Sequence, residues 1–145
     1  MKNDTVNLLN ILNSIDNAKE LNNFLDNVHD KNITFVTYFN DICSKKNLKK
    51  SDLIYNANIN RTYGYQILNG DKKPSRDKII QLCISANLTL KETNKCLILG
   101  NVNELYVKNP RDSILIFSIN KNLSLFDINE LLYDYNLPLL GEKDF

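Results

Sequence analysis

Proline and glycine are scarce, at three and four of 145 residues, and no stretch sustains the apolar–polar alternation of a half-buried strand. Helix is left as the main element, and the chain reads as all-α. Histidine occurs once, as His29. It has no acidic or cysteine neighbour at ligand spacing and is read as a surface side chain. The three cysteines, Cys43, Cys83 and Cys96, stand apart on expected helices in no metal-ligand spacing. They are read as buried thiols in a reducing compartment, and neither metal nor cofactor is expected. There is no glycine-rich phosphate loop and no histidine beside a nucleophile. The neighbouring carboxylates Asp127, Glu130 and Asp134 fall on one helix surface, where solvation is the default, so an enzyme is not expected. No run is apolar enough to span a bilayer. The N-terminus, interrupted by Asn and Asp, lacks the character of a signal peptide, so a cytoplasmic location is expected.

What is present is a 43% hydrophobic chain, long enough to bury a core without disulfides or metals. The formal net charge of +1 hides an uneven distribution. Residues 45–78 hold nine basic side chains (Lys45, Lys46, Lys49, Lys50, Arg61, Lys72, Lys73, Arg76, Lys78) against Asp52, Asp71 and Asp77. That segment carries +6 and the remainder −5, as expected of a polyanion-facing module on a body that faces elsewhere. A Lys-rich face that is merely solvated would look the same.

The basic segment contains the most informative pattern. Lys49 to Ala57 reads as a short helix, Asn58 as a left-handed residue that Asn tolerates, and Ile59 as an inward plug. Asn60 reads as the N-cap of a second helix, Arg61–Leu68, stopped by Asn69-Gly70. Leu48, Leu53, Ile59, Asn60, Ile67, Asn69-Gly70 and Lys73-Pro74-Ser75 together resemble the Cro/repressor-type (XRE) helix-turn-helix family, over roughly residues 34–86. The resemblance implies a lambda-repressor-like helix-turn-helix domain at 33–100, whose helix 61–68 enters the DNA major groove. Two positions depart from the family pattern together. Ile54 stands where a small alanine is usual and Gly64 where a core aliphatic is usual, which reads as an exchange of volume between facing positions.

An N-terminal helical arm, residues 1–32, precedes this domain. Its two amphipathic patterns comprise Val6, Leu8, Leu9, Leu12 and Ile15, then Leu21, Phe24, Leu25 and Val28, with Asp16 or Asn17 as the cap between them. The arm is too short to bury both faces, so it lies on the body or on a partner subunit. Thr34 reads as the cap of a helix with an inward stripe of Phe35, Tyr38, Phe39, Ile42 and Cys43. Ser75 caps another, from Arg76 to Ala86. Thr89 and Glu92 form a capping box for a helix that ends at Gly100.

Beyond Gly100 the chain repeats itself at a shift of 35 residues. Arg76-Asp77 matches Arg111-Asp112, Ile79 Ile114, Ile84 Ile119, Asn87-Leu88 Asn122-Leu123, Thr89 Ser124, Leu90 Leu125, Asn94 Asn129, Leu97 Leu132 and Asn101 Asn136. Residues 101–145 are therefore read as an appended C-terminal helical hairpin on the core, a duplicate of the one before it, although amphipathic hairpins also resemble one another by chance. The apolar tail Leu137–Leu140 either tucks into its own molecule or docks on a neighbour.

For reading DNA, helical spacing turns Ile67 and Gly64 inward and leaves Arg61, Thr62, Tyr65 and Gln66 outward. Arg, Gln and Thr can contact guanine, adenine and the thymine methyl respectively, and the resemblance puts Arg61, Thr62 and Gln66 at the family's base-contacting places. Lys49, Lys50, Asn60, Tyr63, Asn69, Lys72, Lys73 and Arg76 are the expected DNA-backbone contacts. Tyr63 and Tyr65 could instead cover core or an interface. The partners expected are double-stranded DNA, a second copy in a homodimer, and a protein on the C-terminal helices. The competing expectation is a helix-turn-helix-derived adaptor that binds protein and not DNA.

Overall fold

The computed structural model of the chain describes residues 5–28 and 33–141. Among these residues every regular element is a helix, and none is long and apolar enough to cross a membrane. Two compact units are present, Met1–Ile33 and Thr34–Phe145. In the first, α1 (Thr5–Asn13) packs against α2 (Ala18–Val28). Asn17 supplies the cap between them, its Oδ1 accepting from Glu20 N at 2.8 Å. His29 and the side chain of Val28 lie outside the described residues.

The second unit holds α3 (Phe35–Lys45), α4 (Lys50–Asn56), α5 (Arg61–Leu68), α6 (Arg76–Ser85), α7 (Leu90–Leu99), α8 (Pro110–Asn120) and α9 (Leu125–Asp134). Most begin where local chemistry supplies a start. Thr34, Asn60, Ser75, Thr89, Asn109 and Ser124 each accept the backbone N–H three residues on, and Pro110 opens α8. Their ends share one recurrent form. Asn47, Asn58, Asn87, Asn101, Asn122 and Asn136 all adopt φ between 54 and 60°. The aliphatic residue that follows returns its N–H to the helix, as in Ile59 N to Ile54 O at 3.2 Å and Leu88 N to Cys83 O at 3.1 Å. This is the left-handed C-terminal closure with its apolar contact. Asn, an aliphatic and the next N-cap thus make a three-residue joint, used at 47–49, 58–60, 87–89 and 122–124.

Gly100 ends α7 as expected but without a left-handed φ: it sits at −81°, and Asn101 takes the left-handed place. Gly100 is needed for proximity instead, because a Cβ there would collide with Ile79 Cδ1. Gly70, at φ 86°, does serve the left-handed turn after α5.

The hairpins α6–α7 and α8–α9 close on each other: α6 packs on α7 and α9, and α8 packs on α7 and α9. Exchanging α6 with α8 and α7 with α9 maps this set of contacts onto itself, which is the pattern of an internal two-fold pair. Polar contacts follow the same symmetry. Arg76 clamps Asp112 with two hydrogen bonds of 3.0 and 2.8 Å, and Arg111 clamps Asp77 with two of 2.9 and 3.0 Å. Arg76 also donates to the carbonyls of Asn103 and Glu104, and Arg111 to those of Pro138 and Leu139, 35 residues on. Asn94 Oδ1 accepts from Leu105 N, and Asn129 Oδ1 from Leu140 N. The tail is thereby tied to its own molecule, with Leu140 buried. Residue 100 is accordingly not a boundary of packing, because the first hairpin shares a core with the second.

The second core face of α6–α7 is covered by α3 on α7 and α4 on α6, and α5 packs in turn on α3 and α4. Phe35, Phe39 and Cys43 of α3, Leu53 and Ile54 of α4, and Ile67 and Leu68 of α5 are buried there. The three cysteines, far apart in sequence, are all buried and free. Cys83 lies within hydrogen-bonding reach of Cys96. Burial pushes the Cys43 thiol up to about 11 and raises Cys83 well above the usual thiol value. Both are accordingly neutral, inert thiols at ordinary pH.

Candidate nucleic-acid interface

Four contacts fix α5. Asn60 Oδ1 accepts Tyr63 N at 3.1 Å at its start, and Asn40 Nδ2 of α3 donates to Leu68 O at 2.9 Å at its end. Ile67 and Leu68 anchor one side in the core. Gly64 lies so close to Ile54 of α4 that no side chain fits between them. The volume exchange read from the sequence is therefore a physical contact. α4 is held in turn by Gln81 Nε2, buried in α6, which donates to Ala57 O at 2.8 Å. Asn40 and Gln81 went unnoticed in the sequence; the only signal for them was an amide set in an otherwise apolar helical stripe, and for Gln81 the run Ile79-Ile80-Gln81-Leu82-Cys83-Ile84.

This scaffold leaves the first two residues of α5, Arg61 and Thr62, exposed, and Tyr65 and Gln66 half-buried. Arg61 Cζ stands 5.8 Å from the centroid of the Tyr65 ring, so the tyrosine supports the guanidinium from one side. Tyr63 and Tyr65 both pack partly against the core, which limits how far either can reach.

The nine basic residues of the segment divide in two. Lys45 pairs with Asp41 at 3.0 Å and Lys46 with Glu92 at 3.9 Å. Lys78 is buried, and burial lowers its pKa against the opposing pull of Asp77. Arg76, expected on the DNA backbone, makes four hydrogen bonds to Asp112 and two loop carbonyls. Its guanidinium is engaged inside the fold, and Arg76 leaves the set of phosphate contacts. Lys49, Lys50, Arg61, Lys72 and Lys73 remain, exposed and with no acidic partner in salt-bridge range among the described residues. They flank the starts of α4 and α5 and the turn after α5. Asn60 and Asn69 are exposed at the two ends of α5.

Among the described residues no three His, Cys, Asp or Glu side chains converge in a way that could hold a metal ion. Compared with protein-family models, curated proteins and solved structures, the chain matches none.

Proposed function

We propose that the protein is a non-catalytic, sequence-specific DNA-binding regulator of transcription of the Cro/repressor (XRE) kind, with a lambda-repressor-like arrangement of α3–α7. In this reading it acts as a homodimer. The observation that carries the reading is the presentation of α5. A capped, rigidly seated short helix offers Arg61 and Thr62 at its exposed start, with Gln66 one turn on. Lys49, Lys50, Lys72 and Lys73, with no acidic partner in salt-bridge range among the described residues, stand on the adjoining turns. Arg and Gln make bidentate contacts to guanine and adenine in the major groove, while lysines neutralise phosphates. A single short helix contacts few bases, and two copies across a two-fold axis double the site.

The test is selection of bound duplexes from a random pool at near-physiological salt, followed by affinity against salt concentration for the enriched site and for random duplex. An enriched palindrome and a steep logarithmic salt slope, about −0.9 per phosphate contact, are expected. No enrichment together with no salt dependence would leave the adaptor reading. That second reading draws on the exposed aromatics of α8–α9, Phe117 and Tyr135 at one groove and Phe126 and Tyr133 at another, all more than half exposed.

A further inference from the structure

The internal two-fold pair is completed on one side only. On the first hairpin, α3 lies along α7 and α4 along α6. Cys96 of α7 lies near Tyr38 and Cys43 of α3, and Ile79, Leu82 and Cys96 of this hairpin are all at 0% exposure. The equivalent residues of the second hairpin, 35 positions on, are Ile114, Phe117 and Leu131. With Pro110, Tyr135 and Leu137 they line an open groove of about 530 Å³ between α8 and α9, and Phe117 is 52% exposed.

The first hairpin also records what such a face holds. α3 brings an apolar stripe, Phe35, Phe39 and Cys43, one helical turn apart, and ends in Lys45 and Lys46. Lys46 meets Glu92 of α7, and Lys95 of α7 lies 4.9 Å from the Tyr38 ring. On α9 the equivalents of Glu92 and Lys95 are Asp127 and Glu130, with Asp134 one turn further. All three are exposed and α9 carries no basic residue. The vacant face therefore keeps the acidic anchor of the filled one at Asp127, while Lys121 stands 6.0 Å from the Phe117 ring at the other helix.

We infer that the α8–α9 groove is a docking site for an amphipathic helix of a partner protein, one with bulky apolar residues at i, i+4 and i+8 and basic residues at its C-terminal end. The apolar stripe enters between Ile114, Phe117, Leu131 and Tyr135, as helix-in-groove recognition requires. The basic end meets Asp127, the equivalent of Glu92 and one helical turn before Leu131, which sets the direction of the helix. This site uses none of the side chains assigned to DNA, so either assignment can fail alone.

The probe is a fluorescently labelled peptide of residues 34–48, the chain's own α3 with its cap and both lysines, titrated into the intact protein and followed by anisotropy. Saturable binding is expected. Phe117→Lys should weaken it by about tenfold or more, equivalent to about 1.4 kcal/mol, and Asp127→Asn by less and mainly at low salt. Tyr55→Lys, on an exposed α4 position, should leave it unchanged. Phe117 and Asp127 are exposed, and unchanged circular dichroism verifies that the variants fold. The inference is overturned by absence of saturable binding, by equal binding to all three variants, or by concentration-dependent self-association of the protein that Phe117→Lys abolishes. The last result would give the face to a second copy.

Discussion

A methyl group placed on Gly64 would sit 2.5 Å from Cγ2 of Ile54 and 2.8 Å from its Cγ1. Glycine in a helix interior costs about 1 kcal/mol of propensity, yet here it sets the closest approach between α4 and α5. Gly64→Ala should therefore lower stability, with overpacking of about 1–3 kcal/mol outweighing the propensity gain. Ile54→Ala alone should cost about 2–5 kcal/mol through its cavity. The double variant should be more stable than the sum of the two losses predicts, with a coupling of about 0.5–3 kcal/mol. Urea unfolding of the four proteins measures this, and strict additivity would mean that the two positions do not share one volume.

The crossed clamps Arg76–Asp112 and Arg111–Asp77 predict a pH dependence. Burial of Asp112 would raise its pKa, but hydrogen bonds from Arg76 and the Tyr106 N–H, with the charges of Arg76 and Arg111, outweigh burial and hold it below the usual carboxylate value. A folded pKa below the unfolded one stabilises the protein above about 3.8, and that stability is lost as pH falls through the lower folded value. Asp112→Asn should flatten this part of the stability–pH curve. At neutral pH, Asp112→Ala should lower stability, because Arg76 loses two of its four hydrogen bonds while its side chain is only 27% exposed. A curve for Asp112→Asn parallel to that of the parent protein would remove Asp112 from the acid transition.

The helix joints predict a sharp residue preference. Asn122 holds φ 55° between α8 and α9, where a β-carbon costs about 1–2 kcal/mol unless the side chain compensates. Asn122→Gly should keep or slightly raise the melting temperature, and Asn122→Ala should lower stability by about 1 kcal/mol or more. Equal effects of the two changes would show that the left-handed backbone is not what asparagine supplies there.

Local chemistry made much of this legible in advance. The bounds of α5, its Asn60 cap, the left-handed Asn58, the Ile59 plug and the Thr89–Glu92 box depend on residues within one helical turn of each other, and they occur as expected. Long-range pairing was the obscure part. Arg76 lay in a basic run beside the expected DNA-binding helix, and nothing nearby marked it as a clamp. The signal was its recurrence: an Arg-Asp pair that returns 35 residues later in a duplicated hairpin can pair crosswise when the copies face each other. Gly100 ends α7 as expected, but its second role was obscure for a similar reason, since the closeness of Ile79 comes from another helix.

The DNA reading stands or falls on two kinds of substitution. Arg61 and Gln66 are assigned to bases, so Arg61→Ala or Gln66→Ala should weaken binding to the selected site by about 1–3 kcal/mol and relax the preference at one base position. Binding to random duplex should change little, and the fold should be intact because Arg61 is exposed and Gln66 is only half-buried. Lys72 and Lys73 are assigned to phosphates. Their replacement by alanine should weaken binding to both duplexes alike and reduce the salt slope by about 0.9 for each phosphate no longer neutralised. Arg76→Ala gives the contrast: it should lower the melting temperature by breaking the Asp112 clamp while leaving the salt slope of the folded protein unaltered. A slope that falls with Arg76→Ala but not with Lys72→Ala or Lys73→Ala would put the phosphates on the wrong side of α6 and with them the proposed orientation of α5.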